Sequence, residues 1–203
     1  MNKLSTDDFR RMIASALEAV KAKADYFSEL DAVTGDGDHG TAIVAALQAV
    51  NDAAKGDDFK TMLSDMGFGV MLSTSGSTST LMGGLLLGMS DAVSGNELDA
   101  AAVKAMFRSG LEGVAKNTQA KVGDKTMMDA LIPAVEAISG STSDDIKVIM
   151  ADGAKAAKAG AEATVQMKAN FGRARNYGER SIGTADAGAS SWAEIFAAFA
   201  SAI

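Results

Sequence analysis

Three aspartates and the only histidine fall within a dozen positions, Leu30-Asp31-Ala32-Val33-Thr34-Gly35-Asp36-Gly37-Asp38-His39-Gly40-Thr41. Asp36 and Asp38, one glycine apart, can point side by side, and the surrounding glycines let the backbone bend sharply. Neighbouring carboxylates repel unless a cation sits between them, and an all-oxygen donor set suits a hard divalent metal. The same residues also fit a plain polar turn, where Asp and Gly are common. An EF-hand is excluded, because the twelfth position counted from Asp36 is Leu47, which cannot supply a bidentate carboxylate. Asp31 is either a third ligand or an ordinary acid at a helix end. His39 is open to three roles: metal ligand, base, or hydrogen-bonding group to a phosphate.

Three further stretches carry polar chemistry. Ser73-Thr74-Ser75-Gly76-Ser77-Thr78-Ser79-Thr80 has linker-like composition, but apolar sequence flanks it on both sides. At a helix N-terminus such a run offers free N–H groups and hydroxyls to a phosphate. Gly123-Asp124-Lys125-Thr126 is a poor P-loop ending: Asp124 separates the glycine from Lys-Thr, the upstream glycine is missing, and no strand precedes it. Arg173, Arg175 and Arg180 fall in the glycine-containing stretch 170–188, where they are placed to grip phosphate, although solvation is the common fate of arginine.

The elements that must position these stretches read as helices. Ser5 and Asp8 form a capping pattern ahead of Phe9, Met12, Ile13, Ala16, Leu17 and Val20, which predicts a first helix to about Ser28. Helices follow through Ile43–Val50, Phe59–Val70, Leu81–Leu85, and Leu98–Val114. The next runs from Thr126 to Ile138, with a kink expected at Pro133. A long Ala-rich helix starts at Ser143-Asp144-Asp145 and ends near Lys168, and a last one from Ser191 buries Trp192, Ile195, Phe196 and Phe199. The polar stretches 31–41, 73–80, 117–126 and 170–188 fall at alternate junctions. In an up-and-down helical array those junctions share one end, which predicts a composite site there.

Composition agrees. With 203 residues, 47% apolar, one proline and little β-branched alternation, the chain is predicted to be all-α, a single domain over 1–203. The formal charge of −7 argues against sequence-independent nucleic-acid binding, which needs a basic face, but not against one nucleotide bound through metal ions. The absence of cysteine removes disulfides, zinc thiolates and a thiol nucleophile, and fits a cytoplasmic location. The N-terminus is too polar for a signal peptide, and the run at Leu85-Leu86-Leu87 too short to cross a bilayer, so no membrane partner is expected.

With these stretches together, the chain resembles the nucleotide-binding L subunit of bacterial dihydroxyacetone kinases, a family also fused as the C-terminal domain of single-chain enzymes. The resemblance covers nearly the whole length. It rests on Gly35-Asp36-Gly37-Asp38-His39-Gly40, the Ser/Thr run, Gly123-Asp124-Lys125-Thr126-Met127 with Asp129, and Gly172-Arg173-Ala174 with Gly178-Glu179-Arg180-Ser181-Ile182-Gly183. It implies a closed barrel of eight antiparallel amphipathic helices with the nucleotide site at one end. It implies that Asp31, Asp36 and Asp38 hold two Mg²⁺ ions on ATP or ADP. It further implies nucleotide contacts from His39, Thr41, Ala42, Ser77, Thr78, Arg173, Asp186, Ala187 and Gly188, with Thr118 and Met127 near the adenine.

On this resemblance the sugar is held by a separate K subunit, and the chain presents the terminal phosphate of ATP to it across an interface. In the phosphotransferase-system variant, ADP stays bound and is rephosphorylated in place by an M subunit. Where the family carries Gly-Pro, this chain has Ser79-Thr80; where it carries His-x-Asp-Pro-Gly, this chain has Thr184-Ala185-Asp186-Ala187-Gly188. These departures admit a related short ketose, such as a four-carbon one, beside dihydroxyacetone. Two rival readings are a non-catalytic nucleotide-binding regulator and the nucleotide domain of a fatty acid kinase-like system. The latter carries threonine where His39 stands.

Overall fold

The computed structural model describes residues 1–203. The first helix, α1 (Thr6–Ala22), starts where the sequence marks it: Ser5 Oγ accepts from Asp8 N at 3.1 Å, and Asp8 Oδ2 accepts from Ser5 N at 2.9 Å. It ends six residues before Ser28. Lys23 leaves the helical conformation, and a separate α2 (Ala24–Ala32) follows. The break has no Gly or Pro signal; it lets α2 lie against the next helix, α3 (His39–Ala53), and against the last, α9 (Ala187–Ser201), whose Glu194 pairs with Lys23 at 2.7 Å.

The remaining helices are α4 (Phe59–Ser73), α5 (Ser77–Ala92), α6 (Ala100–Ala115), α7 (Met128–Gly140) and α8 (Ile146–Ala163). Asp58, Asp99, Asp145 and Asp186 each accept a backbone N–H at the start of α4, α6, α8 and α9. Several boundaries differ from the sequence reading: α5 already starts at Ser77, inside the Ser/Thr run, and Leu98 lies ahead of α6 and not on it. α8 stops at Ala163 and tightens into a 3₁₀ turn over Thr164–Gln166, and α9 begins at Ala187, ahead of Ser191, because Asp186 caps it. α7 continues through Pro133. The ring cannot donate to Asp129 O, and α8 comes so close there that a Cβ at Gly160 would fall 1.9 Å from that oxygen.

Each helix from α3 to α9 packs on the next, α9 packs on α1, and α1 packs on α3. The chain is mostly helical, with one addition absent from the sequence reading. Strands β1 (Lys3–Ser5) and β2 (Glu97–Asp99) pair antiparallel with Leu4 opposite Leu98, both buried. This pair and the bonds Phe59 N to Gly95 O and Ile146 N to Met1 O knit one end of the molecule. The core is one cluster of buried apolar side chains, including Phe9, Phe59, Phe107, Phe196 and Phe199 in successive aromatic contacts of 5.9–6.3 Å. No helix is long and apolar enough to cross a membrane.

Candidate functional site

At the end opposite the strands, a cavity of about 540 Å³ draws its walls from all four polar stretches. The first wall is the segment between α2 and α3. Asp31, on the last turn of α2, accepts Gly37 N at 2.9 Å and Asp38 N at 3.1 Å through Oδ2. That folds the loop back on itself and brings one carboxylate oxygen from each of Asp31, Asp36 and Asp38 within 4.8 Å of one another. Gly40 sets the depth of the loop: its N–H donates to Ser28 Oγ, and a Cβ there would fall 1.9 Å from Ala24 O.

His39 follows on the first turn of α3. Its Nε2 lies 2.8 Å from Ser191 Oγ on α9, and Ser191 Oγ also reaches Gly188 O at 3.0 Å. Burial pushes the His39 pKa down against the opposing pull of Asp31 and Asp38, which favours a neutral ring. Arg173 reaches across the mouth and pairs with Asp36. The guanidinium holds the Asp36 carboxyl below its ordinary range, and the carboxylate in turn raises Arg173.

Ser77 and Thr78, at the N-terminus of α5, form a second wall; deeper in that turn Ser79 Oγ bonds Thr74 Oγ1 at 2.6 Å. Thr118, Met127 and Trp192 contribute to the floor. Asp129, almost fully buried, shapes the loop above them by accepting Gly123 N at 2.6 Å and Thr126 N at 2.8 Å.

The last wall is the start of α9, where Asp186, Ala187 and Gly188 line the cavity. Asp186 is half-buried as a residue, yet its carboxyl is enclosed. Burial, helped by the charges of Asp129 and Asp31, pushes its pKa up to about 7 against the Ala189 N–H and Lys125. Lys125 sits nearby with its pKa lowered by burial.

Of the residues named from the sequence, Asp31, Asp36, Asp38, His39, Ser77, Thr78, Thr118, Met127, Arg173, Asp186, Ala187 and Gly188 all line this one cavity. Thr41 and Ala42 do not; they lie further along the first turn of α3, where Ala42 N bonds Asp38 O at 2.9 Å. The sequence reading passed over Ser191, Thr164 and Asn117, and it placed Trp192 in the core alone. Ser191 and Thr164 take their partners, His39, Lys125 and Asp186, from 22 to 152 residues away, which no local pattern marks, while Asn117 is held locally by donating to Gly113 O.

A family model described as the DAK2 domain matches residues 33–201. The chain belongs to the DAK2 domain family. Among curated proteins of this kind, it is 32% identical over 183 residues to the "PEP-dependent dihydroxyacetone kinase 1, ADP-binding subunit DhaL" of Listeria innocua, covering 88% of this chain and 87% of that protein. It is 34% identical over 205 residues to the "D-erythrulose kinase" of Mycolicibacterium smegmatis, covering 94% of this chain and only 35% of that longer protein. Among solved structures, the dihydroxyacetone kinase from C. freundii in complex with AMP-PNP and Mg²⁺ superposes with a TM-score of 0.74. That match is at 22% identity and covers 96% of this chain and 33% of the other, so the DAK2 fold is shared over nearly the full length.

Proposed function

We propose that this chain is the nucleotide- and Mg-binding subunit of a keto-sugar kinase, a single domain over 1–203 built as a closed eight-helix barrel. It presents the terminal phosphate of ATP to dihydroxyacetone or a related short ketose held on a partner K subunit. One observation carries the reading: a single cavity gathers three clustered carboxylates, two helix N-termini and an arginine. Its volume of about 540 Å³ lies in the range of small-molecule sites. The order in which the helices pack on one another supports the barrel.

The donor set fits the metal. Asp31, Asp36 and Asp38 supply only oxygen ligands, close enough to share cations, and Asp36 is already balanced by the positive charge of Arg173. When bound, Mg²⁺ neutralises phosphate charge and aligns the terminal phosphoryl group. The chain's own residues do the rest. The N-terminal amides of α5, with Ser77 and Thr78, and those of α9 at Ala187–Gly188 cradle phosphate oxygens. His39 contacts phosphate beside them, and Arg173 stabilises charge at the open mouth, where the sugar must approach. Thr118 and Met127 take the adenine side.

Similarity to an ADP-binding subunit of a PEP-dependent kinase supports ADP as a ligand; similarity to an erythrulose kinase supports a four-carbon ketose as substrate. The test is calorimetry of the isolated chain with ADP, with and without Mg²⁺. Turnover with candidate K subunits on three- and four-carbon ketoses follows. Binding that requires Mg²⁺ and turnover that requires the K subunit are expected. Rapid sugar phosphorylation by the pure chain would sink the split-site reading.

A further inference from the structure

Lys125 carries two unfavourable features at one residue. Its backbone is left-handed, φ 59°, the one non-glycine residue so placed, and its side chain is buried with 3% exposure. A Cβ is crowded in that conformation, and a buried ammonium loses its hydration. The ammonium has three donors and no acceptor. Two of those donors go to backbone carbonyls: Thr164 O at 2.7 Å and Thr184 O at 2.5 Å.

Both acceptors belong to the scaffold of the cavity. Thr164 caps the C-terminus of α8, where unpaired carbonyls carry the negative end of the helix dipole. Its Oγ1 accepts from Asp186 N at 2.9 Å, and Asp186 Oδ2 accepts from Ala189 N at 2.7 Å. Thr184 begins the turn that leads into α9. One ammonium therefore joins the 117–127 loop, the end of α8 and the start of α9, three segments distant in sequence.

We infer that Lys125 is a positioning residue for the nucleotide: its ammonium locks the 184–188 turn so that the N-terminus of α9 faces the cavity before any ligand arrives. The inference rests on the cavity being the Mg–nucleotide site. Donors fixed in advance need no rearrangement on binding, so affinity gains what ordering would have cost. Backbone strain persists where the surroundings over-determine a residue, and such residues cluster at ligand sites. The hydrogen bonds of Lys125 are confined to the site end of the molecule, away from β1 and β2.

The experiment compares wild type and Lys125→Met by MgADP calorimetry and amide hydrogen exchange. Lys125→Met is expected to keep its helical circular dichroism yet bind MgADP at least ~10-fold more weakly, as small misplacements of site groups do. The Asp186 and Ala189 amides are expected to exchange faster, while Thr6, Phe59 and Ile146 at the opposite end keep their wild-type rates. Because the chain has no cysteine, Lys125→Cys offers one alkylation site, modified in denaturant and refolded beside wild type. S-aminoethylation restores an ammonium at lysine length and is expected to restore affinity; carbamidomethylation leaves a neutral side chain and is not. Wild-type affinity in the neutral adduct or in Lys125→Met would overturn the inference. So would loss of the helical fold in Lys125→Met, since the lysine would then serve the fold and not the site. Wild type that fails to bind MgADP would overturn the nucleotide reading itself.

Discussion

His39 Nε2 lies 2.8 Å from Ser191 Oγ, so the only imidazole of the chain bridges the N-terminal ends of α3 and α9. Ser191→Ala removes that partner and leaves a part-buried ring nitrogen unpaired. A loss of about 1–2 kcal/mol is expected, or a Tm drop of a few degrees, with a changed imidazole ¹⁵N shift. Because His39 is the only histidine, that signal needs no assignment. An unaltered ¹⁵N spectrum would show that the hydrogen bond contributes nothing to the state of the ring.

Asp186 makes nucleotide-free stability depend on pH. Its carboxyl holds a proton up to about 7 when folded, against an ordinary value of 3.8. The unfolded chain releases that proton first, so this group favours folding at low pH. Its contribution falls as pH rises through the window between those values. Asn imitates the protonated acid and also caps helices. Asp186→Asn is therefore expected to raise Tm at pH 8 by roughly 3 °C or more relative to wild type, with little difference at pH 4. Equal shifts at both pH values in thermal melts would refute a perturbed Asp186.

Arg173 and Asp36 form an exposed pair, and exposed pairs add little stability. Arg173→Ala is expected to leave the thermal midpoint within about 1 °C of wild type. Phosphoryl transfer in the presence of the K subunit should fall by at least ~100-fold, the scale on which charge-stabilising groups act. Unchanged turnover would remove Arg173 from the mechanism.

The carboxylates are separable from the fold in the same way. Asp38→Asn is expected to weaken MgADP binding at least ~10-fold while circular dichroism stays as in wild type, because one charge fewer faces the cation. Equal calorimetric affinity for the two proteins would refute the metal assignment.

Gly40→Ala tests the seat of the aspartate loop. The added Cβ would fall 1.9 Å from Ala24 O, a backbone atom that cannot swing aside. Overpacking of this kind costs about 1–3 kcal/mol, so a Tm drop of several degrees is expected together with weaker MgADP binding. A wild-type melt would mean that α2 and α3 separate freely.

Much of this was legible because it depends on neighbours in sequence. The Ser5–Asp8 cap, the helical stripes ending in Trp192, Ile195 and Phe199, and the glycine-spaced aspartates are local patterns, and each appears where the spacing puts it. The break at Lys23 escaped because nothing in that residue disfavours a helix; the turn serves packing of α2 on α3 and α9. The early start of α9 escaped because Gly188 is a weak helix residue at its second position, and only the Asp186 cap ahead of Ala187 marks the true start.

The sequence by itself determined the helices, the polar stretches between them and the residue types that suit a metal–nucleotide site, since these follow from side-chain spacing and local hydrogen bonding. Only the tertiary structure decided that Asp36 meets Arg173, that His39 meets Ser191, and that Lys125 is spent on Thr164 and Thr184. Those partners lie 39 to 152 residues apart, and no local rule joins them; packing of the helices into one body does.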